Sequence, residues 1–383
     1  MNRKQCCIMV ATAAATGSAA LGQTYTIVDA GTLGGGSAGL ALSPSGAVGG
    51  YASVPGDSSR FHGMTWDGSV HDTGVGGGLD QSAVGAFDAS GTAWLTGYSF
   101  KSLSIKALTY SGGSLLAIAD FAPQAAGAGR VVGTMPVMTG TLRAQHACSY
   151  AGGLVTDLGT LGGDFSHASG INAAGWIVGN STTGRNAAMH ACLWINGVPT
   201  DLGTLGGTTS DATGINSARQ VVGFSLTSAG APRACVWQLD ATGAVVSRTN
   251  LGVLSGNNSS AYAIDSYGTV VGTSDGRATI WRGGVASDLN TLAAPSPGWR
   301  LDVARAIDDT GRIVGSGSFN GFPRAFLLVC RADIDQTGFV DTDDYDAFVA
   351  MYVAGGPDAD YDGSGFVDTD DFDAFVRAYE AGC

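Results

Sequence analysis

From Tyr25 to Val329 the chain repeats one set of three phrases, and that periodicity restricts its fold more than any other feature. The first phrase is Asp157-Leu-Gly-Thr-Leu-Gly-Gly163, which recurs as Asp201-Leu-Gly-Thr-Leu-Gly-Gly207. Looser copies begin at Asp29, Asp72, Asn250 and Asp288, with a worn one near Asp120. These anchors lie 37 to 49 residues apart, a period that belongs to solenoids and propellers. The second phrase is Gly170-Ile-Asn-Ala-Ala-Gly175-Trp-Ile-Val-Gly179, with relatives starting at Gly214, Ala263 and Ala306. The third is His190-Ala-Cys-Leu-Trp194, followed in later repeats by Arg233-Ala-Cys-Val-Trp237, Arg277-Ala-Thr-Ile-Trp281 and Arg324-Ala-Phe-Leu-Leu328.

Clusters of Gly, Asn, Asp and Ser separate the phrases, and Asn196-Gly197 is a primed hairpin-turn signal. Each repeat holds four short apolar runs and no room for a helix, which is the size of a propeller blade. The 61 glycines and only 13% charged residues suit tightly packed, glycine-punctuated blades. A β-solenoid would repeat with a much shorter coil and ranks second. The last repeat stops at Val329 without an outermost strand, whereas the chain opens with a spare one at residues 24–29. Pairing the two closes a ring and removes an exposed sheet edge. The expected fold is therefore all-β, a seven-bladed β-propeller over residues 23–329.

These linked phrases resemble the HAF repeat, a family named for its His-Ala-Phe triplet. The resemblance covers about residues 25–329 and departs at the triplet's third position, occupied by Cys148, Cys192 and Cys235. It implies export and a surface setting and brings no catalytic residues. Because these cysteines replace an apolar Phe at matched sites, they read as buried free thiols. His146 and His190 open the triplet and are repeat consensus. Gly35-Gly-Ser37-Ala-Gly39 matches the nucleophile-elbow pattern, but no helix follows it and chance accounts for it in so glycine-rich a chain.

The final 54 residues are different in kind. Of the chain's net charge of −13, residues 330–383 carry −12, from 14 acidic and two basic side chains. That balance excludes a basic nucleic-acid binder. One pattern appears twice, 27 residues apart: from Asp333 to Asp344 and from Asp360 to Asp371. Its spacing puts oxygens at calcium-loop positions 1, 3, 5, 7, 9 and 12, with Gly338 or Gly365 at position 6 for the turn. Each loop is followed by a helical pattern: Tyr345, Phe348, Val349 and Tyr352, then Phe372, Phe375, Val376 and Tyr379. Gly355-Gly-Pro357 forbids a helix entering the second loop. Cys330 and Cys383 bracket the segment and are expected to be bonded, closing a 53-residue loop worth about 4 kcal/mol to a module with little core.

This loop-helix pair, with Asp at position 12 and an Ala381-Gly382-Cys383 end, resembles a type I dockerin of the Gly-Cys-ended variety. The resemblance implies two Ca²⁺ ions. The first would be held by Asp333, Asp335, Thr337, the Phe339 carbonyl, Asp341 and Asp344. The second would be held by Asp360, Asp362, Ser364, the Phe366 carbonyl, Asp368 and Asp371. It also implies a cohesin-like anchoring partner, with Thr342, Asp343, Thr369 and Asp370 where such contacts cluster.

Residues 1–22 read as a secretory signal: Arg3 and Lys4, an apolar stretch, then a small-residue cleavage site ending at Gly22. The expectation is a bacterial secreted or cell-surface protein with no membrane span in the mature chain. Two functions compete. One is a non-enzymatic propeller anchored by its calcium module. The other is a polysaccharide hydrolase or lyase, or a lectin-like glycan binder. The enzyme reading would need Arg60, His62, Asp80, Arg143 or Asp164 to converge, and none of them forms a motif.

Overall fold

The computed structural model describes residues 25–139, 142–293, 296–335, 340–356, 359–361 and 364–381. The signal sequence at 1–22 and the expected site residues Thr337, Phe339, Asp362 and Cys383 lie outside them, as does the side chain of Arg143.

Strand pairing divides the ring into antiparallel meanders of four strands, each running from an innermost to an outermost strand. Sheet 1 spans residues 37–74, sheet 2 81–119, sheet 3 122–157, sheet 4 162–203, sheet 5 206–250 and sheet 6 259–288. Sheet 7 has three strands between residues 299 and 330, and its outermost strand is the N-terminal one, Tyr25–Asp29. Cα partners run from Tyr25↔Cys330 to Asp29↔Phe326. The innermost strand of sheet 1, Ser37–Leu42, packs on the strands of sheet 7, so the sequence of sheets closes on itself. The architecture is of the β-propeller type. Sheets 3, 4 and 5 are also linked through single parallel pairs, Gln145↔Phe165 and Met189↔Thr209.

The repeated phrases now acquire physical roles. In every sheet the innermost strand slips register by one residue against the second strand, at Ala168/Gly170 in sheet 4 and Ala212/Gly214 in sheet 5, for example. The bulge drives an innermost-strand carbonyl against the second strand. A Cβ on Gly179 would sit 1.9 Å from the His167 carbonyl oxygen, and one on Gly223 1.9 Å from that of Asp211. The Val-Gly ending of the second phrase is therefore a steric requirement. In sheet 2 the corresponding residue is Leu95, opposite Val84, and there the repeat is worn.

A serine at the start of the innermost strand ties consecutive sheets. Ser166 Oγ donates to the Gly159 carbonyl (2.7 Å) and accepts from the Ala147 N–H of the preceding sheet (2.8 Å). Ser82, Ser210 and Ser259 do the same. Ser37 closes the ring in this way, donating to Gly31 (2.6 Å) and accepting from Ala325 in sheet 7 (3.0 Å). The discounted elbow serine is thus a buried structural tie.

The triplet's first residue pairs with the aspartate of the first phrase. His62–Asp72, His146–Asp157 and His190–Asp201 lie at 2.8–2.9 Å, Arg277–Asp288 at 3.0 Å, and Lys106 meets Asp120. The last pair puts Asp120, at the worn anchor, in the place of the other phrase aspartates. Two short helical turns correct the expectation of a helix-free ring: a 3-10 turn at Gly184–Asn186 and helix α1 at Leu289–Leu292. Both arise in loops, and α1 is capped: Asp288 accepts from the Asn290 N–H at its start.

Helices α2 (Thr342–Ala354) and α3 (Thr369–Ala381) follow the ring. Phe348 stacks on Phe375 with ring centroids 4.0 Å apart, and Tyr345, Tyr352, Phe372 and Tyr379 pack around them. Val349, expected on this face, is not part of that core, whereas Tyr361 and Ala378 are.

Candidate metal centre

The acidic loops owe their shape to the helices that follow them. Asp341 caps α2 by accepting from the Asp343 N–H (2.9 Å), while the Asp344 carboxylate reaches back to the Asp341 N–H (2.9 Å). The other oxygen of Asp344 accepts from Ile334 (2.6 Å) and Asp335 (3.1 Å). This capping box folds the start of the loop over the helix. As a result Asp333, Asp335 and Asp344 each offer a carboxylate oxygen, all within 4.8 Å of one another. Asp344 is wholly buried. Gathering carboxylates this closely is electrostatically costly unless a cation neutralises them.

The second loop follows the same plan. Asp371 is wholly buried and accepts from the Asp368 N–H (2.8 Å), and Asp368 accepts from Asp370 (2.8 Å). Asp360 accepts from the Gly365 N–H through one oxygen (2.9 Å). Its other oxygen is buried with no hydrogen-bond partner among the described residues. Gly365 has φ +90, the left-handed region that only glycine enters freely and that position 6 requires. Ser364 Oγ lies 3.2 Å from the Phe366 carbonyl, so positions 5 and 7 face one another. The donor set is hard oxygen throughout, which fits Ca²⁺ and does not fit a soft transition metal.

The module begins where the ring ends. Cys330 terminates the last strand of sheet 7 and is buried in the module's core beside Ala332, Phe348, Tyr361, Phe375 and Ala378. The Arg331 guanidinium lies 4.1 Å over the Tyr361 ring and donates to the Tyr361 carbonyl, next to Asp360. A groove of about 900 Å³ runs between the module and sheets 1 and 7, with Asp333, Asp360 and Tyr361 on one side and Trp66 and Arg312 on the other.

Three of the enzyme candidates have partners within the fold. His62 is the repeat's ion-pair residue, held by Asp72. Asp80 accepts from the Phe100 N–H (2.7 Å), and Asp164 from Asn186 Nδ2 (2.6 Å). Each of these three is committed to a structural partner, and Arg60 is exposed. Cys148, Cys192 and Cys235 are buried free thiols, as expected. Burial pushes the Cys148 and Cys235 thiols up to about 12, and that of Cys192 up as well, which removes the nucleophilic thiolate.

The chemistry-bearing residues that the sequence reading missed sit on the innermost strands. Asp211 accepts from Asn180 Nδ2 of the neighbouring sheet (2.9 Å), and burial raises its carboxyl to about 6. His167 contacts Thr134 Oγ1 across another sheet boundary, and burial lowers its pKa. Arg305 lies 4.3 Å over the Tyr262 ring. For Tyr262 and Arg305 the available signal was variation at one phrase position: Leu40, Gly85, Gln124, Ser169, Thr213, Tyr262 and Arg305 are all the residue skipped by the bulge.

No protein-family model matches the chain, and no curated protein matches it. Solved structures similar in fold include puromycin hydrolase, at 13% identity and TM-score 0.48, covering 76% of this chain and 53% of that one. The present chain thus spans about half the length of that hydrolase. A gluconolactonase of Xanthomonas campestris is similar at 11% identity and TM-score 0.40, covering 81% of this chain and 92% of that one. YCF48 bound to D1 peptide is similar at 11% identity and TM-score 0.46, with coverage of 82% and 98%.

Proposed function

We propose that this chain is an exported, non-enzymatic seven-bladed propeller of HAF-type repeats. A dockerin-like module that binds two Ca²⁺ ions attaches it to a cell-surface or extracellular assembly. The observation that carries this reading is the gathering of Asp333, Asp335 and Asp344 at the mouth of a helix, with Asp344 wholly buried. The second loop supports it through the buried, unpartnered oxygen of Asp360 and the glycine turn at Gly365. Thr337, Phe339 and Asp362 complete the two ligand sets in this proposal, alongside Asp335, Asp341, Ser364, Phe366 and Asp368. A disulfide between Cys330 and Cys383, bracketing the module, belongs to the same proposal. The non-enzymatic part is supported by the structural commitments of His62, Asp80 and Asp164.

The test is capture of a cohesin-like or other surface anchoring protein from a secreted fraction. The full chain is immobilised in calcium and in EDTA, beside an Asp344→Asn/Asp371→Asn variant. One partner retained only by the wild-type chain in calcium is the expected result. Retention indifferent to calcium and to both substitutions would remove the anchoring function. Screening the same protein on a hydrolase panel and a glycan array tests the competing reading, which turnover of any substrate would establish.

A further inference from the structure

The ring is closed by five residues, Tyr25–Asp29, paired on the last strand, and the final pair of that ladder is Tyr25↔Cys330. These two residues belong to different cores. Tyr25 is wholly buried in the ring among Leu289, Leu292, Leu301 and Phe326, and its hydroxyl accepts from the Arg282 guanidinium (2.6 Å). Cys330 is buried among the module's aromatic residues. The strand that completes the ring and the core of the calcium module therefore meet at one backbone pair, with no linker between them.

Both acidic loops are tied to that pair. The first begins at Asp333, three residues after Cys330, and its Ile334 and Asp335 amides are clamped by Asp344. The second begins at Asp360, and its neighbour Tyr361 is held by Arg331, the residue that follows Cys330. Without a cation, the carboxylates of each loop repel one another and loosen the turn that carries them. The module core is small, so a loosened loop withdraws the packing around Cys330.

We infer that the C-terminal module is a calcium-dependent clasp on ring closure: ion binding fixes Cys330 and thereby the N-terminal strand paired with it. This deepens the calcium reading and depends on it. The function it adds is internal, because the same ions that order the module also lock the ring's weakest seam. A five-residue strand joined to its neighbour by no hairpin turn is otherwise a segment prone to fraying.

The experiment is amide hydrogen exchange on the full chain in calcium and in EDTA, with calorimetry for calcium run in parallel. In calcium, the amides of residues 25–29 and 326–330 are expected to exchange slowly. On chelation they should exchange at least about tenfold faster, while the inner strands of sheets 3 to 5 stay unchanged. An Asp344→Asn/Asp371→Asn variant in calcium should reproduce the EDTA pattern. Arg331→Ala spares every proposed ligand, and should keep calcium binding yet exchange faster at the seam. Calcium binding with unchanged seam exchange overturns the clasp and leaves the metal reading intact. No calcium binding overturns both.

Discussion

At the scale of single residues, one of the ring's buried carboxylates works against the fold's stability in the charged state. Asp211 sits between sheets 4 and 5, with the Asn180 amide as its partner and burial holding its carboxyl near 6. The unfolded chain titrates near 3.9. A raised folded pKa means that the stabilising contribution is complete below about pH 4 and is lost as pH rises through about 6. Asp211→Asn keeps an acceptor for Asn180 and removes the charge. It is expected to stabilise the chain by about 1–2 kcal/mol at pH 7 and by almost nothing at pH 4, read from urea unfolding of variant and wild type at both values. An equal effect at both pH values would show that Asp211 is not a buried charge. Nothing in the phrases singled it out, because Asp and His at that position look like ordinary polar drift between repeats.

At the scale of the strand and the sheet, most of the fold was legible. The three phrases gave the period, the strands and the spare N-terminal strand, and the structure pairs Tyr25–Asp29 where the incomplete last repeat needed it. The reasons behind the consensus were not legible, because they act between repeats. The serine near the start of five innermost strands looks unremarkable in sequence, yet its hydroxyl joins a loop to the third strand of the sheet before. The glycine of the second phrase looks like a flexible residue but answers to a carbonyl pressed against it. Gly179→Ala would place a methyl 1.9 Å from the His167 oxygen and should cost about 3 kcal/mol. Gly175→Ala has open space and only the left-handed backbone (φ +78) to oppose it, so about 1 kcal/mol is expected. Thermal unfolding of the two variants side by side checks the contrast, and equal losses would discard the steric account.

At the scale of the whole molecule the charge, the aromatic core and the ring seam converge on one end. Of the carboxylates the first loop's spacing pointed to, Asp333, Asp335 and Asp344 lie together, while Asp341 caps α2. The spacing could not announce that Cys330, in the module's core, pairs with the ring's closing strand or that Arg331 cross-ties the second loop. Those contacts depend on how the module turns back on the strand it leaves. The most direct measurement is isothermal titration of calcium into the metal-stripped full chain. Two ions bound per chain are expected, falling to one in Asp344→Asn and to one in Asp371→Asn, with module helicity lost on chelation. A chain that takes up no calcium at millimolar concentration, and whose helices stand unchanged in EDTA, would contradict the account at its root.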